Sequence, residues 1–163
     1  DGILRDTGDL KNERGGPYTF SIWIYREYRY WGERMRALPD GRFDGDTLSQ
    51  ALNPSHFRNR EEITTTLNAL GRLDSGKFLS TNTNLTFDRE HTTPELLEAV
   101  FRTFAAKGLP LLQPNCCSRE ELLDAQKHPE KHPNLIVKVC GFSARFVALE
   151  PEWQEEILKR KRY

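Results

Sequence analysis

Leu135-Ile-Val-Lys-Val-Cys-Gly-Phe-Ser-Ala-Arg-Phe-Val-Ala-Leu149 is the stretch on which the reading of this chain turns. Two apolar runs flank one glycine, Gly141, and predict strands over Leu135–Val139 and Ala144–Leu149. A glycine that interrupts a strand pattern marks a bulge or a close approach of another backbone. Taken alone, Gly141-Phe142 reads as a bulge in an ordinary hairpin. Residues on either side decide against that reading.

Immediately upstream runs Gln113-Pro-Asn-Cys-Cys-Ser-Arg-Glu-Glu-Leu-Leu-Asp-Ala-Gln-Lys-His-Pro-Glu-Lys-His132. Further back, Ala37-Leu-Pro-Asp-Gly-Arg42 precedes Asn53-Pro-Ser55 and Thr64-Thr-Thr-Leu-Asn68. The run Val139-Cys-Gly-Phe-Ser-Ala-Arg-Phe146 resembles the signature loop of glycyl radical enzymes. In that family, too, an Asn-containing segment, a short helix with a Leu-x-Asp-Ala core and a His-Pro-Glu-Lys turn lead into the glycyl strand. The Pro-Asp-Gly-Arg and Asn-Pro-Ser stretches are similar to those of the cobalamin-independent dehydratases, decarboxylases and related lyases. The resemblance runs from about Gly15 to Tyr163 and is most specific over 113–149.

This resemblance implies an α/β fold, the closing part of a ten-stranded α/β barrel with the glycyl loop, 139–146, threaded into its middle. It implies that Gly141 is the catalytic residue and stores an unpaired electron on Cα. Such a radical is delocalised over the flanking amides if the centre flattens, and a Cβ would crowd that geometry. Glycine has none and tolerates backbone conformations that other residues avoid. A tight loop between buried strands is expected to keep oxygen and water from the spin. Val139, Cys140, Phe142, Ser143, Ala144 and Arg145 match the part of the loop that activating enzymes grip, with Arg145 as the charged handle. Phe142 and Phe146 are expected to pack the loop into the barrel. No cofactor is expected to be bound. The radical would be installed by a radical S-adenosylmethionine activating enzyme carrying an iron–sulfur cluster, then passed to a catalytic cysteine whose thiyl attacks a small organic substrate.

In the family that cysteine lies on a loop far upstream, in chains of several hundred residues. This chain has no room for the loop and begins at Asp1 without a methionine. It is therefore read as the carboxyl-terminal portion of a lyase, dehydratase or decarboxylase, either a split subunit or a fragment. Its expected partners are the part with the catalytic cysteine and the activating enzyme, within an oligomer. Two other readings stay open: an autonomous glycyl radical cofactor that replaces the damaged glycyl domain of pyruvate formate-lyase, and a non-catalytic interaction module. The intact loop speaks against the module. Air is expected to cut the chain at Gly141 and release a tail of about twenty residues that the rest of the domain can lose.

The 163 residues carry no net charge, which gives no field to attract nucleic acid or an acidic membrane. Arginines among the aromatics of Tyr18–Arg36 suit single strands, but Glu27 and Glu33 dilute them. Hydrophobic residues make up 37% of the chain, so a core is possible but lean. No run approaches the ~20 apolar residues of a membrane span. Three cysteines, two of them adjacent, make no disulfide framework and fit a reducing cytoplasm. Cys116 and Cys117 stand just before a helix cap and read as small buried hydrophobes; Cys140, beside the glycine, reads as steric. His128 and His132 have zinc-like spacing, but Pro129 and Pro133 break any helix there, leaving a surface turn.

Local signals order the rest. Residues 1–17 read as an irregular start and 18–163 as one glycyl radical domain. Alternation predicts a strand over Tyr18–Tyr25, with Arg26–Arg36 either extended or helical. Pro39–Arg42 is a turn, 43–62 an irregular loop, and β-branched Thr64–Leu70 a short strand. Thr93 caps a helix with Pro94 at its first position. Its apolar stripe is Leu96, Leu97, Val100, Phe101 and Phe104, and Gly108 closes it. A buried strand follows over Leu109–Asn115. Ser118–Glu121 is a capping box opening a helix over Glu120–Lys127, and Pro151 starts a terminal helix over 151–161. Its Trp153 and Ile157 point inward and its end, Lys159–Arg162, is basic.

Overall fold

The computed structural model describes residues 8–55 and 62–163. In chain order the strands are β1 (Phe20–Ile22), β2 (Phe78–Thr81), β3 (Thr83–Phe87), β4 (Leu112–Cys116), β5 (Ile136–Lys138) and β6 (Ser143–Arg145). The helices are α1 (Glu27–Gly32), α2 (Ile63–Leu70), α3 (Pro94–Ala106), α4 (Arg119–Lys127) and α5 (Pro151–Lys159). Strand β1 pairs in parallel with β2, β3 in parallel with β4, and β5 antiparallel with β6. Only Asn82 separates β2 from β3. The β3–α3–β4 segment is the crossover that a parallel pair requires, and the mixed arrangement is that of a partial α/β barrel.

Two apolar clusters hold these elements. One gathers Leu85 and Phe87 of β3 with Leu67 and Leu70 of α2 and Val100 and Phe104 of α3. The other surrounds the glycyl strand: Val137, Val139 and Cys140 meet Tyr28, Leu122, Phe146, Trp153, Ile157 and Leu158.

The helix caps follow the sequence. Thr93 Oγ1 accepts from the Leu96 amide at 3.2 Å, and Ser118 Oγ from Glu121 at 3.0 Å. Gly108 ends α3 with φ +67°. Phe101 departs from the expected stripe and is 44% exposed. Leu96, Leu97, Val100 and Phe104 share one face, and a residue one step past Val100 is turned about 100° away from it.

Several expectations are corrected. Thr64–Leu70 is helical, not a strand. Ile63, Leu67 and Leu70 recur at helical spacing, and their burial outweighs the weak β preference of three threonines. The strand expected over Tyr18–Tyr25 shrinks to β1; Phe20, Ile22 and Ile24 stay half-buried, whereas Tyr18 is exposed. Arg26–Arg36 resolves into α1, whose Tyr28 is fully buried. Leu109–Asn115 begins its strand only at Leu112, and Ala144–Leu149 leaves the sheet after Arg145 for a 3-10 turn at Phe146–Ala148. Residues 43–55 are irregular as expected, and 56–61 lie outside the described residues. Strand β3 was not anticipated. All five of its residues are buried, yet Thr83, Asn84 and Thr86 hide it from any apolar alternation.

The Pro39–Arg42 turn has a structural purpose that its composition conceals. Arg42 is 2% exposed, and its guanidinium donates to the carbonyls of Arg36 (2.8 Å), Met35 (3.3 Å), Gly32 and Asp46. Those carbonyls fold 32–46 around one planar fork. At the centre, a Cβ on Gly32 would lie 2.5 Å from Asp46 O and 2.7 Å from Thr47 Cα. Both are backbone atoms and cannot swing aside. Gly32→Ala is therefore expected to cost about 1–3 kcal/mol through overpacking, seen as a lower Tm by circular dichroism. An unchanged Tm would show that the 46–48 backbone yields.

Candidate functional site

The glycyl loop is the tip of the β5–β6 hairpin. Val139 N–H donates to Phe142 O at 3.0 Å, closing a turn with Cys140 and Gly141 at its centre. Gly141 has φ +83°, a conformation that strains any residue with a Cβ. A Cβ built there would stand 3.1 Å from the indole nitrogen of Trp23. The chain thus selects glycine twice, by backbone conformation and by space.

Side chains from three parts of the chain grip the backbone leading to the tip. Arg160, just past α5, donates to Lys138 O (2.6 Å) and Val139 O (2.8 Å). Its guanidinium also pairs with Glu156 at 2.9 Å and reaches Gln50 Oε1 at 3.2 Å. Both partners of the ion pair are 5% exposed. From β4, Asn115 accepts from Lys138 N (2.6 Å) and donates to Lys138 O (3.2 Å), as a third strand would. Gln113, two residues earlier, accepts from Gly141 N–H at 3.1 Å. From the β2–β3 run, Asn84 Nδ2 reaches Val139 O at 3.4 Å and Asn82 Nδ2 reaches Cys140 Sγ at 3.6 Å.

These contacts place the predicted residues in two groups. Val139 and Cys140 are buried and face inward. Cys140 Sγ–H donates to Ile24 O at 2.8 Å, and burial pushes its thiol above the ordinary range. Phe142, Ser143 and Arg145 are exposed and Ala144 half-buried. Phe146 is fully buried as expected, but Phe142 is 41% exposed and meets Tyr25 edge-on at 5.7 Å. Gly141 itself is exposed in this chain. The expectation that flanking strands shield it is corrected: β5 and β6 are short, and Ile136, Ser143 and Arg145 point outward. What lies against the glycine is a cluster of rings. Trp23 stacks on Tyr25 (6.4 Å, 12°), and Tyr25 stacks on Trp153 of α5 (5.4 Å, 16°).

The other candidates sit elsewhere. Cys117 is buried with its thiol pushed up by burial, whereas Cys116 is exposed. His132 Nε2 bonds Asp124 Oδ2 at 2.7 Å, which holds that carboxyl below its usual range. Among the described residues no group of three His, Cys, Asp or Glu is placed to hold a metal ion. No helix among them is long and apolar enough to cross a membrane.

Sequence reasoning missed the gripping residues. Gln113 and Asn115, like Asn82 and Asn84, recur at a spacing of two, so each pair lies on one face of a strand. Glu156 and Arg160 stand at the i, i+4 spacing of a helical ion pair. Those spacings were the available signals. The basic end expected at Lys159–Arg162 is corrected as well, since Arg160 is 6% exposed and drawn inward.

Known proteins resemble this chain in sequence and in structure. A family model described as "Glycine radical" matches residues 48–147. The PFL-like enzyme TdcE of Escherichia coli is 32% identical over 164 residues, covering 93% of this chain and 21% of that protein. An isethionate sulfite-lyase of Desulfovibrio desulfuricans is 32% identical over 177 residues, covering 98% and 21%. Among solved structures, the B12-independent glycerol dehydratase of Clostridium butyricum superposes with a TM-score of 0.84 at 28% identity, covering 98% of this chain and 21% of that one. A structure described for 1,2-propanediol dehydration in Roseburia inulinivorans gives 0.85 at 29%, with the same coverage. The chain thus spans about a fifth of the length of these relatives. With its glycine on a hairpin tip gripped from a partial α/β barrel, the chain belongs to the glycyl radical enzyme family, in the lyase and dehydratase branch.

Proposed function

We propose that Gly141 is the residue of this chain that stores the radical, and that the domain 18–163 delivers it to a cysteine outside the chain. The observation that carries this reading is the grip on 138–141. Lys138, Val139 and Gly141 have backbone groups fixed by Arg160, Asn115, Asn84 and Gln113, beside a Cα that bears no side chain. A Cα radical needs both neighbouring peptide planes held coplanar with it. Fixing the backbone on the amino side of the glycine limits the rotation that would break the delocalisation. The bond from Gly141 N–H to Gln113 orients the amide nitrogen whose lone pair shares the spin.

The thiyl belongs on a cysteine of the remaining enzyme. Cys140 and Cys117 are buried thiols, and Cys140 is committed to Ile24 O. The thiyl takes hydrogen from a C–H bond of a small organic substrate, which then eliminates or cleaves. The named relatives include a sulfite-lyase and a glycerol dehydratase, and the class proposed here is lyase, dehydratase or decarboxylase. An iron–sulfur, S-adenosylmethionine-dependent activating enzyme removes the first hydrogen, approaching the exposed side of the loop at Phe142, Ser143 and Arg145. Val139 and Cys140 become available to it only if the hairpin lifts. The partner supplying the cysteine, an oligomeric assembly and a cytoplasmic setting complete the reading.

Anaerobic incubation with the activating enzyme, reductant and S-adenosylmethionine is expected to produce a doublet in the electron paramagnetic resonance spectrum. The doublet should vanish in Gly141→Ala. A doublet that survives this change would place the spin elsewhere.

Oxygen should then cut the chain at Gly141, but residues 142–163 are not a dispensable tail. They carry Phe146, Trp153, Ile157 and Leu158 of the core, as well as Arg160. Tyr163 adds backbone bonds to Thr86 (3.0 Å) and Asp88 (2.9 Å). Burying each large apolar side chain contributes about 1.5–3 kcal/mol. The two pieces are expected to co-elute in native size exclusion and to separate in denaturant. Separate elution in native buffer would refute this cohesion.

A further inference from the structure

The indole of Trp23 occupies a position that the catalytic reading leaves without a purpose. Trp23 is 57% exposed, so burial alone does not explain where its ring sits. Its Nε1 stands 3.1 Å from the point where a Cβ on Gly141 would lie, and apart from Cys140 and Phe142 on either side of the glycine no other side chain among the described residues is within 4 Å of that point. The ring is seated from behind by Tyr25, nearly parallel at 6.4 Å, and Tyr25 is seated in turn by Trp153 at 5.4 Å. Phe142 braces Tyr25 from the side. Three elements therefore hold one indole edge over one face of one alpha carbon.

Resting on the assignment of the radical to Gly141, we propose that Trp23 is a positioning and shielding residue, a movable cover on the side-chain face of the Gly141 alpha carbon. A flattened Cα radical has two faces. A dioxygen adding on the covered face would put its first oxygen near the Cβ point, about a hydrogen-bond length from Nε1. Its second oxygen, set at an angle to the new Cα–O bond, meets the indole edge over part of its rotation, where closer approach is repulsive. The covered face is thus hindered toward oxygen while the ring is in place, and a bulky group can take a hydrogen from that face only after the ring swings out. The seating permits this, because aromatic pairs add only about 0.5–1.5 kcal/mol beyond burial, and Trp23 is more than half exposed.

The cover makes a spectroscopic claim as well as a kinetic one. The indole N–H is exchangeable and lies beside the spin, so it should add a dipolar proton coupling, lost in D2O, to the exchangeable coupling of the Gly141 N–H itself.

The experiment uses the full chain together with the part bearing the catalytic cysteine, activated anaerobically, as wild type, Trp23→Phe and Trp23→Ala. Trp23→Phe keeps a ring and removes the N–H; Trp23→Ala removes both. Electron–nuclear double resonance should show two exchangeable couplings in wild type, with the Gly141 N–H coupling kept and the coupling assigned to the indole lost in both variants. On mixing with air-saturated buffer, the doublet and the intact chain should decay faster in Trp23→Ala than in wild type, by up to about twofold because one of two faces is uncovered, with Trp23→Phe close to wild type. Persistence of both couplings in Trp23→Phe overturns the proposal, as does equal decay of wild type and Trp23→Ala. Should Trp23→Ala fail to fold, the indole coupling, tested in Trp23→Phe, still decides. A wild-type protein that gives no doublet, or one that survives Gly141→Ala, removes the assignment to Gly141 and the cover with it.

Discussion

The ion pair between Glu156 and Arg160 is the contact on which the hairpin depends. Each side chain is 5% exposed, and the guanidinium spends its donors on Glu156, Gln50, Lys138 O and Val139 O. A buried charge pair is weak evidence of stability when compared with an apolar replacement. Removing one partner, however, costs about 3–5 kcal/mol, because the other charge is left buried. Against a net domain stability of roughly 5–15 kcal/mol, that cost is large. Lysine could not substitute, since only a planar fork reaches two successive carbonyls and a carboxylate at once. The terminal helix and the glycyl strand therefore stand or fall together.

The same logic explains the buried amides. A hairpin of two three-residue strands satisfies few of its own backbone groups. Asn115 treats Lys138 as a strand would, Gln113 takes the Gly141 N–H, and Asn84 shares Val139 O. Apolar residues at 113 and 115 would take these partners from the Gly141 and Lys138 N–H groups, at about 1–3 kcal/mol for a buried group left unpaired. Polar positions in β4 and at Asn84 of β3 are the consequence. Thr81 Oγ1, Thr83 Oγ1, Asn82 Oδ1 and Asn84 Oδ1 have no partner among the described residues. The β2–β3 run thus keeps hydrogen-bonding capacity beyond what the hairpin uses.

Legibility in the sequence follows from which force dominates locally. From Thr93 onward, caps, prolines and a helical apolar stripe set the elements, so α3, α4, β5 and the start of α5 were readable within a few residues. The family was readable because the residues around Gly141 carry its pattern. Strand β3 was not, since its Thr83, Asn84 and Thr86 are buried yet show no apolar alternation. Helix α2 was misread because threonine composition was weighed above the spacing of Ile63, Leu67 and Leu70. Arg160 was hidden by its company: among Lys159, Lys161 and Arg162 a basic residue looks solvated, and only its spacing to Glu156 says otherwise. Shielding of Gly141 was overestimated for a related reason, since apolar flanks bury a strand's inner face and say nothing about its tip.

These unequal restraints decide which part of the site can move. The hairpin is tied by a buried ion pair, by amide bonds to two strands and by Phe146 in the core. Trp23 is tied by one stacking contact and by its approach to Gly141. A ring contact of about 0.5–1.5 kcal/mol yields before a buried charge pair whose breaking costs about 3–5 kcal/mol. A modest disturbance at the tip therefore displaces the indole and leaves 138–141 in place, uncovering the alpha carbon without disturbing the planarity of its amides. Lifting the whole hairpin is a separate, costlier event, and it requires a partner that replaces the contacts of Arg160 or lets α5 travel with the strand. Two motions of different cost at one glycine are what a site needs if its alpha carbon is to be uncovered readily while its backbone stays fixed.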